Sequence, residues 1–151
     1  MNRHMIGWLW VSGQAALLGA LIFLPNGQAW DRSGVLGIIS NGLFFGGLVL
    51  VGVGALRLGA GITPSPVPTS LGQLQTTGLY RFMRHPIYTG VLTAVVGIAL
   101  RSGSWLHVAI AALTFVYFDR KAAWEEDQLR DHYPDYGAYA DRTKKFFPMI
   151  W

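Results

Sequence analysis

The chain contains no cysteine. That excludes a disulfide framework, a thiolate metal site and a cysteine nucleophile. Charge is scarce as well: 13% of the 151 residues are Asp, Glu, Lys or Arg, against about 25% in an average soluble domain. Hydrophobic residues make up 52%. So little charge over so much hydrocarbon argues for a membrane protein, and the length suits one domain. Acidic side chains are almost missing from the first 118 positions, where only Asp31 is found. The net charge of +4 raises nucleic-acid binding as an option. In a membrane protein, however, basic residues first report orientation, so no nucleic-acid partner is expected.

What is abundant is uncharged apolar sequence. Residues 5–24 run twenty positions without a charge, the ~20 needed to cross ~30 Å of hydrocarbon. A secretory signal has a shorter apolar core and a small-residue cleavage site, so this stretch reads as a retained span. After the polar turn PNGQAWDRS, residues 34–56 supply a second run of 23. Two shorter runs follow at 87–100 and 102–118, roughly 21 and 25 Å of helix at 1.5 Å per residue. Joined by Arg-Ser-Gly-Ser at 101–104, they read as a tight helical hairpin. The predicted fold is all-α and integral to the membrane: about four transmembrane helices, the last two a short hairpin, then a cytoplasmic C-terminal helical segment.

The chain then divides, as a single membrane domain over 1–151, into two N-terminal spans (1–61), a linker (62–77) and a cofactor-binding hairpin with its C-terminal segment (78–151). Pro64, Pro66 and Pro68 favour an extended linker. With four spans and both termini cytoplasmic, ten of the twelve basic residues fall inside and only Arg32 and Arg101 outside, which is the positive-inside pattern. Small residues at four-residue spacing (Ser12, Ala16 and Ala20; Gly42 and Gly46) suit close helix packing. Gln14, Asn41 and His107 are polar groups within or near spans, expected to be satisfied by neighbouring helices, with interfacial solvation sufficient for His107 close to the outer end.

Seven of the eight acidic residues fall between Asp119 and Asp141. The fourth span should continue as a helix through DRKAAWEEDQLRDHY and stop before Pro134. On it Ala122, Ala123, Leu129 and Tyr133 form one face, with Glu126 on that face and Glu125 at its border; Asp127, Arg130 and Asp131 point outward. Folding the hairpin about Gly103 brings His85 level with the glutamates. One wall of a site is therefore GLYRFMRHPIYTG, residues 78–90. Pro86 suits the first helical position, His85 the cap, and the free N–H groups near Tyr88, with Arg81 and Arg84, make an anion-favouring corner. Tyr80, Phe82 and Tyr88 add flat apolar faces. Glu125 and Glu126 form the other wall, suited to an ammonium group or a pair of ribose hydroxyls. A ligand with a carboxylate, a cation, a ribose and a flat base fits both, and S-adenosylmethionine has all four.

The order Arg84-His85-Pro86-x-Tyr88, Gly90, then Glu125-Glu126-x-x-Leu129, Tyr136-x-x-Tyr139, Arg142 and Pro148 resembles the isoprenylcysteine carboxyl methyltransferase and phospholipid methyltransferase superfamily. The resemblance runs from about Leu74 to Pro148. It implies an integral-membrane methyltransferase that uses S-adenosylmethionine. Tyr80, Arg84, His85, Pro86, Tyr88, Gly90, Glu125, Glu126 and Leu129 are the candidate cofactor-binding residues. Arg84, Glu126 and Arg142 are the candidates for chemistry. No metal is implied. The acceptor is expected to be a membrane-partitioned molecule: an isoprenylcysteine-type carboxylate, a lipid amine or a small thiol. Arg84 or Arg142 would orient a carboxylate, and a glutamate or His85 would take the proton from an amine. Two other classes stay open at this level: an NADPH-dependent enzyme related to sterol reductases, and a non-enzymatic membrane protein with a degenerate site.

Overall fold

The computed structural model describes residues 2–59 and 74–148. The proline-rich part of the linker, 60–73, lies outside the described residues. Among those described, the protein is helical throughout: α1 (Arg3–Phe23), α2 (Gly34–Leu58), a 3₁₀ turn (Gly78–Arg81), α3 (Pro86–Ser102), α4 (Trp105–His132) and α5 (Tyr136–Arg142). The helix ends follow local chemistry. Leu24 is extended ahead of Pro25, and Tyr133 ahead of Pro134, because a residue before proline is disfavoured in the helical region. Gly103 ends α3 with φ +64°, the left-handed conformation that a glycine adopts without a Cβ penalty.

The four long helices run alternately up and down, and both ends of the bundle are tied. At one end the α1–α2 turn is bonded to the α3–α4 turn. The Gly27 amide donates to the Ser102 carbonyl, and the Ala29 amide to the Gly103 carbonyl, each at 2.8 Å. The indole of Trp30 donates to the Leu100 carbonyl at 2.8 Å. At the other end Arg3 pairs with Asp131 at 3.0 Å, and the Tyr80 hydroxyl donates to the Gly54 carbonyl at 3.3 Å. The start of α1, the end of α2, the start of α3 and the end of α4 therefore share one end of the molecule.

The α2–α3 seam is built from small residues. Ser40, Gly47 and Gly54 are the buried positions of α2, spaced by seven. A Cβ on Gly47 would lie 2.6 Å from the Ala94 nitrogen, one on Gly90 2.6 Å from the Gly47 carbonyl oxygen, and one on Gly97 2.6 Å from the Ser40 carbonyl oxygen. The expected Gly42/Gly46 stripe is not the packed one: a Cβ there would meet nothing within 4 Å, and Ser12 and Ala16 are exposed. Two turns of a 3.6-residue helix span about seven residues, so a seven-residue spacing holds one face along a long helix. Two glycines four apart mark no face by themselves.

Large apolar side chains are exposed on every long helix, including Trp8, Phe23, Ile38, Phe45, Val49, Leu56, Val96, Leu113 and Val116. Water-soluble surfaces avoid such continuous exposure. α1 and α2 are long and apolar enough to cross a membrane, whereas α3 is a shorter apolar helix.

Candidate functional site

The site forms where the start of α3 meets the C-terminal half of α4. Pro86 occupies the first turn of α3 as its missing N–H allows. His85 holds the cap position, but its side chain makes no capping bond. The cap position expected for His85 is thus borne out by its backbone, while the imidazole turns to the glutamates. Its Nε2 lies 3.0 Å from Glu126 Oε1 and its Nδ1 3.8 Å from Glu125 Oε2. An ionised carboxylate only accepts, so Nε2–H is the donor to Glu126. The Tyr88 hydroxyl donates to Glu125 Oε2 at 2.7 Å. The His85 and Tyr88 rings stack with centroids 5.2 Å apart and planes 7° from parallel. Helical spacing explains why these two rings meet: Tyr88 comes one turn after the cap position.

Arg84 closes the network. Its Nε donates to Glu126 Oε1 at 2.8 Å, and its Nη1 donates to the Ala140 carbonyl at 3.0 Å and to the Thr143 carbonyl. Glu126 is 5% exposed. Burial alone would raise its pKa, but the hydrogen bonds from His85 and Arg84 and the charges of both outweigh that and hold it at about 2. Arg84 also satisfies orphan carbonyls at the end of α5, where a cation is favoured.

A backbone strap positions this corner. Residues 143–146 run beside 82–85, with Met83 and Lys144 bridged in parallel. The Arg84 amide donates to the Lys144 carbonyl at 2.8 Å and the His85 amide to the Lys145 carbonyl at 3.1 Å. The Thr89 hydroxyl donates to the Phe146 carbonyl at 2.8 Å. Phe146 is fully buried, its ring 6.0 Å from those of His85 and Phe115. Lys145 pairs with Asp119 at 2.7 Å.

Of the residues singled out in the sequence, Arg84, His85, Tyr88, Glu125 and Glu126 come together directly. Leu129 is half-buried one turn further along α4, and Asp127, Arg130 and Asp131 are exposed as expected. Tyr80 is a fastener: its hydroxyl reaches the end of α2, and its carbonyl accepts from the Tyr139 hydroxyl at 2.6 Å. Burial, then the charge of Glu125, raises its phenol pKa. Pro86 and Gly90 are turned to α2, where a side chain at Gly90 would strike backbone. Arg142 stays out of the network: it is exposed, and its Nε donates to the Ala138 carbonyl of its own helix at 3.0 Å. Arg81 lies over the exposed Phe82 ring at 4.8 Å. The expected cationic corner is thus spent, because Arg84 is matched by Glu126 and two carbonyls.

Sequence reasoning missed Lys121. It is 2% exposed and donates to Gln14 Oε1 of α1. Its Nζ sits 5.1 Å from the Tyr88 ring centroid and 5.7 Å from that of Phe118. Burial lowers its pKa, and Glu125 opposes that. Its place one turn before Glu125 on the same helix face was the available signal. Among the described residues, the Tyr136 hydroxyl, Gln128 Oε1 and His107 Nδ1 are buried without a hydrogen-bond partner, so His107 is enclosed and not left to interfacial solvent as expected.

The sequence pattern described as phospholipid methyltransferase matches residues 35–136, a stretch that holds all but the first residue of α2, the His85 corner and both glutamates. The chain belongs to the phospholipid methyltransferase family. This family member is 30% identical, over 99% of its length, to the nickel-cobalt-cadmium resistance protein NccN of Alcaligenes xylosoxydans xylosoxydans, of which it covers 67%. It is also 30% identical, over 99% of its length, to the cobalt-zinc-cadmium resistance protein CzcN of Cupriavidus metallidurans, of which it covers 66%. It spans about two thirds of the length of both relatives.

Proposed function

We propose that this chain is an integral-membrane methyltransferase that holds S-adenosylmethionine between the His85–Tyr88 corner and Glu125, and methylates a membrane-partitioned acceptor. The observation that carries the reading is the interlock of the two motif halves: His85 and Arg84 on Glu126, and Tyr88 on Glu125. The donor set fits the cofactor. Glu125 is half-buried and offers a carboxylate to a cation or to ribose hydroxyls. Among the described residues, two buried polar atoms close to this wall, on Tyr136 and Gln128, lack hydrogen-bond partners.

When bound, the cofactor supplies an electrophilic methyl group on a sulfonium. The protein's share is orientation and exclusion of water, and proximity of this kind is worth ~7–11 kcal/mol. Glu126 is a positioning residue in this scheme. Pinned by Arg84 and His85 and held ionised, it is a poor proton acceptor at neutral pH. Glu125 is better placed to take a proton from an amine or thiol; a carboxylate acceptor needs no base. The bundle would sit with four spans and both termini cytoplasmic, so that the cofactor enters from the cytoplasm and the acceptor from the bilayer.

Calorimetric titration of S-adenosylhomocysteine and NADPH into the chain in neutral detergent tests the reading. Saturable S-adenosylhomocysteine binding with none for NADPH is expected. The reverse would favour a reductase, and binding of neither would leave a non-enzymatic protein.

A further inference from the structure

Three cations lie at least partly buried around the site, and two are matched. Arg84 has Glu126 and two carbonyls, and Lys145 has Asp119. Lys121 is the most deeply buried of them and is matched least. Its Nζ has three N–H donors and, among the described residues, one hydrogen-bond acceptor, the neutral carbonyl oxygen of Gln14. The ring faces of Tyr88 and Phe118 add cation–π attraction. Among the described residues no carboxylate comes within ion-pair reach of it. The nearby Glu125 carboxylate instead accepts from Tyr88. A buried charge whose hydrogen-bond partner is neutral, and whose nearest carboxylate influence, Glu125, acts from beyond ion-pair distance, is costly to keep, and the cost falls when a bound ligand brings the opposite charge.

The position suits such a ligand. Lys121 borders the Tyr88–Glu125 wall and lies at the seam between α4 and α1. That seam is lightly closed: α1 buries only Gly7 and Leu21. Besides the Lys121–Gln14 bond it is held by the exposed Arg3–Asp131 pair at its end and by Tyr117, whose hydroxyl donates to the Trp10 carbonyl at 2.7 Å. Gln14 lies before residue 35, outside the family match, so the pair depends on how α1 of this chain docks.

We propose that Lys121, oriented by Gln14, is an oxyanion subsite adjoining the Tyr88–Glu125 wall, which receives a carboxylate or phosphate group of a ligand bound there. The inference builds on the methyltransferase reading, because two sources of the oxyanion follow from it: the carboxylate of the cofactor, or an anionic group on the acceptor.

The test uses the full chain in neutral detergent and compares wild type with Lys121→Met, Lys121→Arg and the double variant Gln14→Leu/Lys121→Met. The double variant removes both polar partners together, so no buried group is stranded. Probes are S-adenosylhomocysteine, its decarboxylated analogue, dodecyl phosphate and dodecanol. If the oxyanion is the cofactor's, Lys121→Met weakens S-adenosylhomocysteine binding at least tenfold and leaves the decarboxylated analogue unchanged. If it is the acceptor's, the same variant weakens dodecyl phosphate at least tenfold and leaves dodecanol unchanged. In either case Lys121→Arg restores part of the loss. The proposal is overturned if dodecyl phosphate binds wild type no better than dodecanol and S-adenosylhomocysteine affinity is insensitive to Lys121. Wild type that binds dodecyl phosphate through Lys121 but no S-adenosylhomocysteine would sink the methyltransferase reading and keep the subsite.

Discussion

Arg84 and Glu126 stand 42 positions apart in sequence, and their side chains meet at 2.8 Å with little of either exposed. The same carboxylate oxygen takes His85 Nε2 at 3.0 Å. This one atom holds the start of α3, the body of α4 and, through Arg84, the end of α5. Glu126 is therefore as much a structural keystone as a candidate ligand group.

Glu126→Gln should destabilise the fold. Removing one member of a buried ion pair costs about 3–5 kcal/mol. The amide still accepts one hydrogen bond, which puts the expected loss near the lower end of that range. Equilibrium unfolding in detergent measures it. A loss under about 0.5 kcal/mol, the size of an ordinary surface substitution, would contradict the buried network.

The same pair sets an acid limit. Glu126 is held at about 2 in the folded protein, against its ordinary 4.5. A lowered folded-state pKa means that the unfolded chain binds the proton first as pH falls. The stabilisation is complete above about 4.5 and drains away toward about 2. Thermal midpoints of wild type and Glu126→Gln should therefore be furthest apart near neutral pH and converge through that window. A gap that stays constant would show that Glu126 does not titrate in this way.

Neutralising the other carboxylates of α4 should sort them by direction. Glu125→Gln should weaken S-adenosylhomocysteine binding at least tenfold, because a charge-assisted hydrogen bond is worth about 1.5–3 kcal/mol. Asp127→Asn and Asp131→Asn remove the same charge from exposed positions and should leave affinity unchanged. Arg142→Ala should behave like them, since among the described residues Arg142 bonds only its own helix. Titration of the four variants decides it, and equal affinities would take Glu125 out of the site.

Glycine substitutions should separate packed from open positions. Gly90→Ala drives a methyl into α2 backbone, and overpacking of this kind costs about 1–3 kcal/mol. Gly42→Ala and Gly46→Ala meet nothing and should be neutral or stabilising by up to about 1 kcal/mol from helix propensity. Thermal shift assays in detergent give the ranking.

Reporter fusions after Trp30 and after Arg101 should both report the non-cytoplasmic side. The turns that carry them are hydrogen-bonded to each other, so the two fusions must agree. A split result would be incompatible with the up-and-down bundle as well as with the proposed orientation.

Composition and local pattern determined a good deal by themselves. Uncharged runs long enough to span a bilayer marked α1 and α2, since apolar length alone decides whether a helix suits hydrocarbon. Pro86, Gly103 and Pro134 set the hairpin's limits, because backbone freedom is a property of the residue. The helical face of α4 sorted Glu126 from Asp127 and Asp131 through a fixed 3.6-residue period. Tertiary structure decided what depends on docking angle and partner choice. It picked Gly47 and Gly54 over Gly42 and Gly46, because only the crossing of α2 on α3 says which face is shared. It gave Arg84 to Glu126 and to the end of α5, turned Arg142 away, and buried Lys121 against Gln14 of α1. A charged side chain reaches several ångströms in any direction, and its partner is fixed only when distant segments come to rest beside it.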